Sequence, residues 1–190
     1  MRKPPGKPPS GPGPGAAPAR GDLVSALAVL PPQPLTVTAE AAEAEGLPAC
    51  VAGHDFAFEA VPTDVEIGPD GMLYVTTLPG GPEDPSLGAR AAVHRINPRT
   101  GALHTVADGL LSATGLAVAG NGDIYVAELF GDRISRIPAG SSSPQPWRTL
   151  TQPGDVSWRN GRVWATGNVL SGLSGEPGDV PQGTVVRFSR

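Results

Sequence analysis

The sequence holds one cysteine, Cys50, in 190 residues. A lone thiol closes no intrachain disulfide and builds no cysteine zinc site. No apolar run reaches about eighteen residues, so no membrane-crossing helix is expected. The HExxH, GxSxG and P-loop patterns are missing as well, which removes the usual signatures of zinc proteases, serine hydrolases and NTPases. Basic charge is scarce outside Met1–Arg20. Beyond Arg20, ten arginines face eighteen acidic residues, a formal charge of −8. No basic stripe survives there for nucleic acid or an anionic membrane surface.

Glycine and proline are in excess, with 26 and 23 residues. The excess gathers in Met1–Arg20, which has seven Pro, four Gly, four basic residues and no acid. Such a stretch has little to bury and is expected to be a disordered tail. Lys3 and Lys7 are followed by Pro and Gly rather than an apolar stretch, so no secretion signal is expected in it.

The rest of the chain repeats itself. Pro62–Thr76 (PTDVEIGPDGMLYVT) aligns without a gap on Ala113–Ala127 (ATGLAVAGNGDIYVA), at an offset of 51 residues. Pro153–Thr166 (PGDVSWRNGRVWAT) fits with one deletion. Apolar positions coincide: Val65 with Leu116 and Val156, Ile67 with Val118 and Trp158, Tyr74 with Tyr125 and Trp164. Each copy reads as a β-hairpin. Alternating apolar residues give strand faces. Asp70-Gly71, Asn121-Gly122 and Asn160-Gly161 offer the positive φ of tight hairpin turns. A third strand follows in each copy, with the pattern apolar-x-Arg-apolar around Arg95, Arg136 and Arg187. A fourth is expected at Leu103–Ala107 and Trp147–Leu150.

Four short antiparallel strands per ~40–50 residues is the signature of a propeller blade. A β-sandwich also alternates, but it does not repeat residue for residue. The expected fold is therefore all-β, a partial β-propeller of about three four-stranded antiparallel blades. The divisions are a tail at 1–20, a remnant of a preceding blade plus a long connecting excursion at 21–60, blades at 61–108 and 109–151, and an incomplete blade at 152–190. Leu23–Leu30 is the expected last strand of the preceding blade. Propellers typically close with four to eight blades. The chain thus reads as a fragment, whether a truncated gene product, a mis-called start or one partner of a split ring. Its exposed sheet edges and blade faces predict self-association.

The run VPTDVEIGPDGMLYVTTLPGG resembles the ScyD/ScyE family. So do AVLPPQPLTVTAEAAEAEGLPACVAGHDFAFEA before it and ATGLAVAGNGDIYVAELFGDRISRI after it. The more telling part is the proline-rich excursion Pro31–Ala60 leading into the VPT-D repeat. The resemblance covers roughly Asp22–Arg190 and matches the C-terminal half of a member. It implies an NHL-like six-bladed propeller, an actinobacterial and secreted setting, and no assigned chemistry.

Candidate sites follow from ring geometry, since the innermost strand of each blade lines the channel. Asp64 and Asp155 open the inner strands of the first and third copies, where the second carries Gly115. Glu66 lies on the same face as Asp64, and Glu128 follows the second strand of the second copy. These channel-mouth carboxylates could hold a hard cation, with calcium the choice for an intact ring. They could also divide into acid and base. The plainer alternative is that Asp64 and Asp155 cap backbone N–H groups. His54, His94 and His104 have no paired spacing and read as surface or satisfied strand histidines. Pro79-Gly80-Gly81 reads as a loop tip. The matched arginines are expected to lie over apolar neighbours and pair with turn carboxylates of the next blade. The three tryptophans are expected to pack between blades.

The repeat without a catalytic constellation reads as a non-catalytic, secreted-type binding or scaffold propeller, with no catalytic residue and no cofactor assigned. The alternatives are a channel-metal enzyme of the lactonase or lyase type and a non-functional truncated product.

Overall fold

A computed structural model describes residues 25–81, 87–175 and 178–188. The expected tail Met1–Arg20 lies outside them.

The fold is all-β, and its main body is three successive antiparallel sheets. The first comprises β3 (Val61–Ile67), β4 (Leu73–Leu78), β5 (Ala91–Ile96) and β6 (Leu103–Leu110). The second comprises β7 (Ala113–Val118), β8 (Ile124–Glu128), β9 (Arg133–Ile137) and β10 (Gln145–Thr149). The third comprises β11 (Val156–Arg159), β12 (Arg162–Gly167) and β13 (Thr184–Phe188). Each sheet runs in sequence order. Each packs on the next through its first strands, β3 and β4 on β7, then β7 and β8 on β11. Meandering sheets stacked face to face in this way are propeller blades.

The tight turns are not all of one kind. Asn160 and Gly161 both take positive φ, 51° and 75°, a two-residue turn closed by the pair Arg159↔Arg162. The first two hairpins use a longer connection. Gly71 N–H donates to Gly68 O at 2.9 Å and Gly122 N–H to Ala119 O at 2.8 Å, with only the glycine of each turn left-handed. The single deletion in the third copy converts one turn into the other.

Before the blades stands a small sheet of β1 (Gln33–Thr36) and β2 (Asp55–Phe58), with helix α1 (Ala39–Ala44) between its strands. Thr38 caps the helix by accepting from Ala41 N–H at 3.1 Å. Leu35, Val37 and Ala42 form its own core beside Phe56 and Phe58. The excursion is thus a folded unit rather than a plain connection. Gly80 and Gly81, expected at a loop tip, are where it docks. A β-carbon on Gly81 would lie 2.9 Å from the Phe58 ring, and Gly80 is buried against Glu59. The strand expected at Leu23–Leu30 is not formed over its described part, Ser25–Leu30. Leu27 instead lies against Gly101, a close approach that a side chain at Gly101 would block.

Two apolar cores lie at the seams between blades. The first seam buries Val93, Leu110, Leu116, Val126 and Ile137, with Tyr74 and Val118 packed beside them. The second buries Tyr125, Ile134, Val156 and Val163, flanked by Trp147, Trp158 and Phe188. Each large aliphatic side chain contributes about 1.5–3 kcal/mol on burial.

Candidate functional site

The seams carry a hydrogen-bonded clamp built from the repeat. The β3–β4 register shifts between Pro62 and Asp64, and the β7–β8 register shifts between Ala113 and Gly115. The residue inserted by each bulge is a threonine, Thr63 or Thr114. A bulge frees its extra residue from the ladder and re-aims its side chain. Both hydroxyls turn to the next blade, Thr63 Oγ1 donating to Ala113 O at 2.9 Å and Thr114 Oγ1 to Pro153 O at 3.3 Å. Acceptors and donors occupy matching repeat positions. The sequence signal was a threonine before the Asp64 position in two copies, with Gly154 in the third.

Asp64 extends the clamp. Its Oδ1 accepts from its neighbour Val65 N–H at 2.7 Å, and its Oδ2 accepts from Leu116 N–H in the second blade at 2.8 Å. Leu116 N–H is free to reach across because Gly115 has no side chain to take it. Asp155, at the same repeat position two blades on, has a carboxylate that accepts only from Val156 N–H, at 2.8 Å through Oδ1, among the bonds described. It lies against Gly115, where a β-carbon would approach the Asp155 Cα to 2.8 Å.

Glu66 joins these two electrostatically. Desolvation, then the charges of Asp64 and Asp155, raise its carboxyl above the ordinary range. Asp155 is raised by desolvation and by Asp64, against the lowering bond from Val156 N–H. Asp64 and Glu66 of the first blade and Asp155 of the third thus influence one another across the first strand of the second blade. No cluster of three or more His, Cys, Asp or Glu close enough to hold a metal ion occurs among the described residues.

Glu128 is not in this group. It is fully buried and accepts from Leu111 N–H at 2.7 Å, from Arg133 Nε and Nη2 at 2.8 Å each, and from Ser135 Oγ. Its bond to Arg133 raises the guanidinium above its already high value. The matching positions in the first blade are Thr77 and His94, also buried, with Thr77 Oγ1 3.2 Å from His94 Nε2. Thr105 Oγ1 lies 3.2 Å from the other ring nitrogen, so His94 is a satisfied interior histidine. Burial holds it below the ordinary histidine range.

The recurrent arginines pair within their own blade rather than with the next one. Arg95 donates to Asp70 Oδ2 at 2.7 and 2.9 Å, and Arg136 reaches Asp123 Oδ2 at 2.7 Å. Partial burial pulls Asp70 upward, but the bonds from Arg95, Met72 and Tyr74 outweigh it and hold the carboxyl low. The two carboxylates come from non-equivalent turn positions, a match no alignment reveals. Arg187 has no turn acid beside it among the described residues and lies over Trp164, 5.6 Å from the ring centre.

On the turn side of each seam is a cleft. The first, about 350 Å³, is lined by Tyr74, Arg95, His104 and Val106 among others. The second, about 630 Å³, is lined by Tyr125, Arg136, Trp147, Trp158 and Phe188. Its rings largely engage one another: Tyr125 and Trp147 meet edge-on at 4.8 Å, Trp147 and Phe188 at 5.3 Å, and Arg148 covers the Trp147 ring at 4.4 Å.

No family model matches this chain, and no curated protein matches it. Among solved structures it is similar to regucalcin, a calcium-binding protein from Agrobacterium tumefaciens. The identity is 14%, the TM-score 0.45, and the match covers 56% of this chain and 38% of that one. A structural-genomics target assigned as a gluconolactonase is similar at 20% identity and TM-score 0.45, covering 60% of this chain and 47% of that one. The chain spans less than half the length of either structure.

Proposed function

We propose that this chain is a non-catalytic binding or scaffold propeller of the ScyD/ScyE type, three blades of a six-bladed ring that works outside the cell. One observation supports the reading above others. Asp64, the best-placed inner-strand carboxylate, spends both oxygens on backbone N–H groups, one of them across a blade seam. A carboxylate so engaged is a poor ligand for a hard cation, which asks for six to eight oxygen ligands. The faces and loops of such a ring then serve as recognition surfaces. Fold by itself assigns no chemistry.

A second reading has its own support. Glu66 and Asp155 both have raised carboxyl pKa values, and raised carboxyls gathered in one place are a mark of acid–base or cation sites. In a lactonase-type ring, Asp64, Glu66 and Asp155 would be the residues to hold calcium, which would polarise the substrate carbonyl.

Calcium titration by calorimetry, elemental analysis for calcium and zinc, and a lactone hydrolysis assay separate the two. The first reading expects no stoichiometric metal and no turnover. Stoichiometric calcium that disappears in Glu66→Gln and Asp155→Asn would overturn it.

A further inference from the structure

The two internal seams define which residues a blade face buries, and the same positions can be followed to the outer blades. Leu116 and Val156 are 0% and 3% exposed beneath the preceding blade, whereas Val65, at the same repeat position in the first blade, is 58% exposed. Ile67 is exposed too, although its counterparts Val118 and Trp158 pack into the seams. The opposite face of the third blade shows the same break. Val93 and Ile134 are 0% exposed against the following blade, and their counterpart Val185 is 75% exposed. Trp164 is exposed where Tyr125 is buried.

These two faces are complementary, because each lacks what the other presents. A cleft of about 490 Å³ lies on the first blade's face, between Leu27–Leu30 and Pro62, Val65 and Ile96. Its position matches the ground that Tyr125 and Ile134 occupy against the third blade at the second seam. Trp164 and Val185 hold the same repeat positions on the third blade, both exposed, with Arg187 of their own blade over the Trp164 ring.

We propose that the third blade of one copy packs on the first blade of a second copy, head to tail, so that two chains close a ring of six blades through two identical seams. The arrangement is a two-fold rotation in which each copy makes the same contact to the other. It continues an interface the chain already makes twice. The new seam is weaker than the internal ones, because Gly154 replaces the clamp threonine and offers no hydroxyl to Pro62 O. The ring count rests on the six-bladed reading above. The non-catalytic part of that reading is decided separately by metal binding and stands whatever this test returns.

The test is sedimentation of the full 190-residue chain over a micromolar concentration series, for wild type, Val65→Asp and Val185→Asp. Both side chains are exposed, so circular dichroism should show the fold unchanged. Wild type should reach twice the chain mass. Each variant alone carries its change at both seams and should associate about 1,000-fold more weakly, the scale of two interface hot spots. An equimolar mixture of the two variants should recover a dimer, since one intact seam remains between an unaltered third blade and an unaltered first blade. A wild-type monomer throughout, a closed oligomer larger than two, or a mixture that fails to recover would overturn the proposal.

Discussion

The seam between the first and second blades and the seam between the second and third occupy the same repeat positions with different side chains. At the first, Val106, Val118 and Ile137 belong to the apolar filling, and a cleft of about 350 Å³ opens beside Tyr74, Val106 and Ile124. At the second, Trp147, Trp158 and Phe188 stand at the corresponding places, and the cleft grows to about 630 Å³. The polar clamp does not change with them. Thr63 and Thr114 make the same bond across both seams. The backbone bulge and its hydroxyl are what the repeat preserves, and the apolar filling varies around them.

The largest expected break in this parallel is inside the blades. Glu128→Ala strips Arg133, Ser135 and Leu111 N–H of their common acceptor; Arg133 is 35% exposed and finds water, but the donors left inside should cost about 2–4 kcal/mol together. Thr77→Val, at the matching position of the first blade, should cost only about 1 kcal/mol. Urea unfolding of the two variants measures the difference. Equal losses would mean that Glu128 is no more than another interior hydrogen-bond acceptor.

Gly115→Ala should cost about 1–3 kcal/mol, because the new methyl meets the Asp155 backbone and the first strand of the third blade must shift. Ala117→Gly removes a methyl from a buried position on the same strand without a clash and serves as the control. The clamp itself should be symmetric. Thr63→Val and Thr114→Val should each lose about 1 kcal/mol, and the losses should add in the double variant because the seams are separate.

The smallest effect is a pH dependence confined to the first blade. Burial lowers the His94 pKa from 6.5. A lowered histidine pKa means the folded state favours the neutral ring, so its contribution is full above the unfolded value and is lost as pH falls through the folded one. Unfolding free energy measured from pH 7 towards 5 should fall more steeply in wild type than in His94→Gln.

The architecture was legible because a blade is written three times. Position-by-position agreement at Val65, Leu116 and Val156 carries information that composition lacks, and the strands begin and end close to where the alignment sets them. The arginine partners were not legible. Asp70 and Asp123 sit at different places in their turns and reach equivalent guanidinium groups only through turn geometry. The helix at Ala39–Ala44 was hidden because its short Ala/Glu run lies between prolines and shows little amphipathic period. At the candidate site, the shared position of Asp64 and Asp155 was visible, but the bonds they make were not. Whether an aspartate reaches across a seam depends on the side chain opposite, and Gly115 has none.

That pair offers the sharpest test. Asp64 holds Leu116 N–H across a seam, whereas Asp155 carries a carboxyl whose pKa is raised above 3.8. A raised carboxyl pKa contributes stability that is full below the unfolded value and lost as pH rises through the folded one. At neutral pH, ionised Asp155 therefore opposes folding. Thermal unfolding of Asp64→Ala and Asp155→Asn at pH 7 compares the two directly. The account predicts a loss of about 1–3 kcal/mol for Asp64→Ala, which leaves a buried N–H unpaired, and an unchanged or higher Tm for Asp155→Asn. Equal destabilisation by both, together with a calcium-induced rise in Tm in wild type that each variant abolishes, would contradict it.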